Sequence, residues 1–144
     1  MTLTTFVASQ KEEMWKRLEN FFNNLDTKMT QERYLEVCEQ LGQEPNPDKM
    51  PPAWEDLPEV AQFAINTFNI LGDRVYPEIG YVGKDYTNLD RFIRLYEPSD
   101  EELFLEILNW LDSRAIKKSS EQLKKEYDKL KRKSGGQKLG NIQR

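Results

Sequence analysis

Apolar residues recur along this chain at helical spacing in five blocks, and the polar punctuation between them marks where helices start and stop. In the first block Met14, Leu18, Phe21 and Leu25 share a face flanked by Trp15 and Phe22. Ser9 and Glu12 form a capping-box pattern, so the spacing predicts a helix over 10–25. A stripe that broad has to bury against the body or a partner. In the second block Tyr34, Leu35, Cys38 and Leu41 face one way behind Thr30, a fair N-cap. Gly42 stands where a left-handed residue ends a helix, which predicts 31–41. In the third, Pro58 suits a first helical position and Gly72 closes the run. Between them Val60, Ala61, Phe63, Ala64, Ile65, Phe68, Ile70 and Leu71 cover most of the circumference. A helix apolar nearly all round is a central one.

The fourth block is short, 89–96, with Asn88 to cap it, Leu89, Phe92, Ile93 and Tyr96 inward, and Pro98 to end it. The fifth opens on the best capping box in the chain, Ser99-Asp100-Glu101-Glu102. Leu103, Phe104, Ile107, Leu108, Trp110, Leu111, Ala115 and Ile116 follow as a strong core face. Past Ile116 the pattern thins, then resumes at Leu123, Tyr127 and Leu130. Helix is expected to residue 133, with Ser134-Gly135-Gly136 ending it. Unbroken, that helix is about 34 residues and about 50 Å long. It either projects from the body or breaks at Ser119-Ser120.

Two stretches escape the helical pattern. Pro45, Pro47, Pro51 and Pro52 forbid regular structure over 44–53, which reads as an extended connector on the surface. The 73–87 loop holds Val75, Tyr76, Ile79, Tyr81, Val82 and Tyr86, with Gly80 and Gly83 free to take positive φ. It is too long and too apolar to be idle connection, and it has room for a short hairpin with strands near 74–76 and 81–82. The fold class expected is all-α: one domain of about five helices, a Gly/Tyr-rich loop and a long C-terminal helix. It divides into an N-terminal amphipathic helix (1–28), a helical core (29–118), a basic helical extension (119–133) and a disordered tail (134–144).

Composition changes this picture in three ways. Leu, Ile, Val and Phe make up 35 of 144 residues, enough for a modest core, which 16 aromatic residues enlarge. One cysteine, Cys38, and no histidine exclude an intrachain disulfide and remove the commonest general base and imidazole metal ligand. The net charge of -4 hides an asymmetry. Residues 117–144 carry ten basic and three acidic groups, a balance of +7, and 1–116 carry eleven against 22, a balance of -11. No apolar run is long enough to span a membrane, and the N-terminus has no basic signal-peptide start, so a cytoplasmic setting is expected.

Candidate chemistry is sparse. Gly80 to Asp85 looks like a phosphate loop only superficially: two residues separate the glycines, and Asp85 stands where a hydroxyl would hold magnesium. The acidic groups at Glu55, Asp56 and Glu59, and at Asp100, Glu101 and Glu102, sit at helix starts, where acid suits the dipole better than it argues for a cation site. Cys38 on an apolar face reads as structural. No nucleophile has a base beside it, so no enzyme, cofactor or metal is expected. Tyr76, Tyr81 and Tyr86 suit a small loop core better than a surface that, with Arg74 and Lys84 nearby, stacks on nucleic-acid bases. The basic segment has three readings: a solvated helix end; a seam for a partner helix through Ile116, Leu123 and Leu130 with Tyr127; or a phosphate-tracking face of Lys124, Lys125, Lys129, Lys131, Arg132 and Lys133.

From Met29 on, the chain resembles small uncharacterised proteins of tailed bacteriophages, especially T4-like phages of aquatic bacteria. The resemblance rests on Met29-Thr30-Gln31-Glu32-Arg33-Tyr34, Pro51-Pro52-Ala53-Trp54-Glu55-Asp56-Leu57-Pro58, Gly72-Asp73-Arg74-Val75-Tyr76-Pro77 and Gly83-Lys84-Asp85-Tyr86-Thr87-Asn88, with Leu111-Asp112-Ser113-Arg114-Ala115 and Lys125-Glu126-Tyr127-Asp128 further on. It implies a non-enzymatic protein-interaction factor in the host cytoplasm, accessory to virion or tail assembly in the manner of a tail-assembly chaperone. The expected partner is a virion or tail component or a second copy of the chain; the residues offered for it, read from the sequence pattern and not from the resemblance, are Trp54, Tyr76, Tyr81, Tyr86, Leu123, Tyr127 and Leu130. A nucleic-acid-associated regulator using the basic helix is the alternative.

Overall fold

The computed structural model describes residues 7–142, with side chains over 7–134. The elements in chain order are α1 (Ala8–Asp26), α2 (Gln31–Leu41), a single 3-10 turn (Trp54–Asp56), α3 (Glu59–Ile70), strands β1 (Asp73–Tyr76) and β2 (Gly80–Lys84), α4 (Leu89–Tyr96) and α5 (Glu101–Ile142). The protein is mostly helical, with five α-helices among the described residues. It also carries a two-stranded antiparallel sheet, so it is not purely all-α.

Three helices build the core. Met14 and Leu18 of α1, Val60, Ala61, Ala64 and Ile65 of α3, and Leu103, Phe104, Ile107, Leu108 and Leu111 of α5 meet with Leu57 in one buried cluster. Removing each of the larger side chains from water contributes about 1.5–3 kcal/mol. Aromatic rings extend the cluster outward. Trp110 lies 6.0 Å from Trp15 and 5.7 Å from Phe22, and Phe63 stacks on Tyr96 of α4 at 4.5 Å. At its far end α1 is tied to α5 by Asp26, which bonds both Arg114 and Lys118. The hydrogen bond from Lys118, with help from Arg114, holds the Asp26 carboxyl below its ordinary range.

The boundaries of α2 and α4 fall where the pattern placed them. Thr30 caps α2 through Oγ1, which accepts the Arg33 N–H at 3.1 Å, and Gly42 follows at φ 66. The segment 44–53 has no regular structure. Polar contacts pin it to α2: Gln31 Nε2 donates to the Pro51 carbonyl at 3.0 Å, and the Tyr34 hydroxyl accepts the Asn46 N–H at 3.1 Å.

Several helix ends differ from expectation. Ser9 does not cap α1, which starts a residue earlier; the Val7 N–H instead donates to the Gln10 side chain. Pro58 is the cap of α3 rather than its first residue, and Gly72 does not close it by a left-handed turn. The Gly72 carbonyl accepts the Asp85 N–H at 2.8 Å, which draws the chain straight into β1. Asn88 occupies the cap position of α4 without a side-chain bond. At α5 the cap is Asp100, not Ser99: Asp100 Oδ1 accepts the Leu103 N–H at 3.0 Å, while Oδ2 is buried without a partner. The helix passes unbroken through Ser119-Ser120 and through Ser134-Gly135-Gly136 to Ile142, 42 residues and about 60 Å. Serine and glycine lower helix propensity by at most about 1 kcal/mol each and, unlike proline, leave the hydrogen-bond ladder intact. Residues 1–6 and 143–144 lie outside the described residues, and with them parts of the expected N-terminal segment and tail.

The cap assignment is checked by urea unfolding. Ser99→Ala should be neutral within about 0.5 kcal/mol, and Asp100→Ala should lose about 1 kcal/mol. Asp100→Ser, which keeps a capping oxygen and removes the unpaired one, should retain most of the stability.

Candidate functional site

The hairpin reverses direction at Pro77-Glu78-Ile79. Proline fixes φ for the turn and Glu78 takes φ 71, a conformation usually left to glycine. Cα partners are Asp73 with Lys84, Arg74 with Gly83, Val75 with Tyr81 and Tyr76 with Gly80, so Val82 is an extra residue in β2. That bulge accounts for the burial of two consecutive residues, Gly83 and Lys84, which strict alternation cannot give. Both strand glycines are set by the close approach to α5. A Cβ on Gly80 would come 2.6 Å from Leu123 Cδ1. One on Gly83, at φ 131, would come 3.2 Å from both Arg74 Nη2 and Asp112 Oδ2.

Asp112 is where sheet and helix meet. It projects from α5 one turn beyond Leu108 and is 93% buried, since only 7% of its surface is exposed. Its carboxylate accepts the Tyr81 hydroxyl at 2.5 Å on Oδ1, the Tyr86 hydroxyl at 2.7 Å on Oδ2, and the Lys84 backbone N–H at 3.2 Å from both oxygens. Burial works to raise the Asp112 carboxyl, but the two phenols, the N–H and the Lys84 charge outweigh it, so the group sits below its ordinary value. The phenols move the other way: burial, then the bond to Asp112 and its charge, push Tyr81 and Tyr86 well above 10.0. About two turns further along α5, the Ser119 hydroxyl accepts the Tyr81 N–H at 3.4 Å.

Lys84 closes the other side. Its ammonium pairs with Asp73 at 2.6 Å, donates to the Leu71 carbonyl at 3.2 Å and lies 4.4 Å from the centre of the Phe68 ring. One lysine thus joins the end of α3 to both strands. A carboxylate filled by three donors is a weak base, and phenols with raised pKa are weak acids. The cluster is suited to holding the hairpin, not to proton transfer.

The surface that this clasp presents is apolar. Val75, Tyr76 and Ile79 stand exposed around the hairpin turn. Gly80 rests on Leu123, which is half-buried. The same face of α5 continues one and two turns on as Tyr127, 65% exposed, and Leu130, 67% exposed. Lys124, Lys125, Lys129, Lys131, Arg132 and Lys133 surround that face and are all exposed. No family model, curated protein or solved structure matches the chain. Among the described residues no helix is long and apolar enough to cross a membrane.

Of the residues singled out in sequence, the fold brings Tyr81, Tyr86 and Leu123 to one place, the hairpin–helix junction, with Tyr76 at its rim. Tyr127 and Leu130 lie further along the same helix face. Trp54 is elsewhere: it packs against the core with its ring 6.3 Å from Phe21. The sequence reading gave Asp112 no role, and treated Lys84 as a neighbour of the tyrosines and Ser119 as a place where the last helix could break. One signal was available for Asp112, an acidic residue one turn after Leu108 on the core face of a helix, where a charge needs a partner.

Two measurements test the clasp. Asp112→Ala leaves two phenols and an N–H without their acceptor and should destabilise the fold by about 2–4 kcal/mol, with Tyr81→Phe losing about 1.5–3 kcal/mol. Because the folded Asp112 carboxyl lies below 3.8, its contribution is complete above that value and is lost as pH falls below it. The phenols lie above 10.0, so their contribution is complete below pH 10 and is lost only as pH rises beyond it. Amide exchange of β2 should therefore show a plateau between these limits. The acid limb should be weakened in Asp112→Asn, whose side chain does not titrate.

Proposed function

We propose that this chain is a non-enzymatic protein-interaction factor that meets its partner through the hairpin turn and the projecting half of α5. The observation that carries this is the uncovered continuation of a buried face. Leu123 is capped by the hairpin, whereas Tyr127 and Leu130, on the same stripe, are exposed in an otherwise charged segment. Large apolar side chains in register on a helix face are a familiar docking surface for another protein. The exposed Val75, Tyr76 and Ile79 widen the patch at its inner end. The resemblance to small phage proteins supports a setting in virion or tail assembly, with the host cytoplasm as the place.

A second reading has an observation of its own. Lys124, Lys125, Lys129, Lys131, Arg132 and Lys133 are exposed, and among the described residues none of them forms an ion pair. Such a helix suits phosphates, although an acidic body works against close approach of a nucleic acid.

Pull-down with purified virion and tail components separates the two. Capture should survive moderate salt and drop at least tenfold in a Tyr127→Glu/Leu130→Glu variant, whose substitutions lie at exposed positions. Loss of capture only when the six basic residues are neutralised, together with steeply salt-dependent binding of DNA or RNA, would favour the second reading instead.

A further inference from the structure

We propose that the protein associates with a second copy of itself. The basic, projecting part of α5 on one copy lays Tyr127 and Leu130 into the groove between α1 and α2 of its neighbour. This rests on the protein-interaction reading above and gives it a partner.

The donor surface is the stripe of Tyr127 and Leu130, three residues apart on one helix face. Over 117–133 the helix carries eight basic and three acidic side chains, a balance of +5. The acceptor is an open groove of about 380 Å³ at the junction of α1, α2 and the proline-rich segment. Its apolar walls are Phe21, Leu25, Met29 and Pro52, and Glu32 lies on its rim. Leu25 is 56% exposed there. The stretch that surrounds this groove, 29–59, holds eight acidic and two basic residues, a balance of -6. Its acids include Glu32, Glu36 and Glu39, all exposed along α2. Apolar stripe and apolar groove thus carry opposite charge around them, the arrangement that steers and orients association.

The stripe cannot serve the groove of its own chain. Asp26, one residue beyond Leu25, is bonded to Lys118, which places the end of α1, one wall of the groove, beside that turn of α5. Tyr127 lies nine residues further along a continuous helix, about 13 Å away at 1.5 Å per residue. Folding back would require breaking the helix, whereas a neighbour's helix meets no such constraint. The contact joins two different surfaces, so two copies either clasp each other reciprocally or add in succession.

The test is mass in solution for the full chain, cleared of nucleic acid, at low and high salt. The wild type should exceed the monomer mass and dissociate about tenfold more readily at high salt, where surface charges are screened. Tyr127→Glu/Leu130→Glu and Leu25→Lys should each be monomeric with unchanged helical content by circular dichroism. Mixed in equal amounts, the two variants should form a one-to-one pair, because each retains the surface that the other lacks. A monomeric wild type overturns the proposal, and so does a mixture that stays monomeric. Capture of a virion component by a monomeric wild type would leave the preceding reading standing while this one falls.

Discussion

The fold depends on one buried carboxylate. A two-stranded ribbon such as β1–β2 has little stability of its own in water, because it buries too little surface to offset the entropy of ordering its backbone. Asp112 supplies the missing contact. It satisfies the Lys84 N–H, which faces the helix and has no strand to pair with, and it collects the hydroxyls of the half-buried Tyr81 and of the more exposed Tyr86. The negative charge on α5 is tolerated for the same reason: each oxygen has a strong donor, and Lys84 stands nearby as a compensating cation. Removing any one member leaves the others unsatisfied, so the hairpin, the end of α3 and the middle of α5 behave as a unit.

That unit sets where the helix stops being core. Up to Leu111 the inward face of α5 is covered by α1 and α3. From Asp112 to Leu123 it is covered by the hairpin. The glycines at 80 and 83 allow the strand to lie so close that a Cβ at Gly80 would clash with Leu123. The cover therefore ends at the hairpin turn. Beyond that point the apolar stripe persists for two more turns with none of the described residues covering it. The uncovered apolar surface follows from a mismatch in length: the hairpin is shorter than the stripe that it lies on.

Periodicity was a good guide wherever burial on one face decided the outcome. Met14 and Leu18, Val60, Ala61, Ala64 and Ile65 of the third block, and Leu103, Phe104, Ile107, Leu108 and Leu111 are the core, whereas Ile70 at the end of the third block is exposed because no described element covers that face; α2 and α4 have the ends that their caps and breakers mark. Residue type was a poorer guide at helix starts, where Ser9 and Ser99 are adjacent to the true boundary but Gln10 and Asp100 make the bonds. Two neighbouring residues can each offer an acceptor, and tertiary packing selects between them. The clasp was only half legible. Three tyrosines and two glycines marked the loop as structured, but Asp112 lies 26 residues beyond Tyr86 and reads in sequence as one more surface acid. Nothing local distinguishes a carboxylate that will be buried under a hairpin from one that will face water. The distinction comes from which helix face the ribbon covers, and that is a property of the assembled fold.

The charge asymmetry gains meaning from the same geometry. An acidic body and a basic extension on a flexible chain would be drawn together and would neutralise each other within one molecule. Here they are held apart by a helix whose first half is locked into the core and whose second half continues the same rigid rod. Hydrogen bonds from Arg114 and Lys118 to Asp26 tie that helix to α1, and the contact of Gly80 with Leu123 is the last point at which body and extension touch among the described residues. Past that point each further turn adds about 5.4 Å of separation, and the attraction between exposed charges is largely screened beyond roughly 8 Å at physiological salt. The opposite charges are thus kept apart within the molecule, and the apolar stripe travels with the basic half on the same continuous helix.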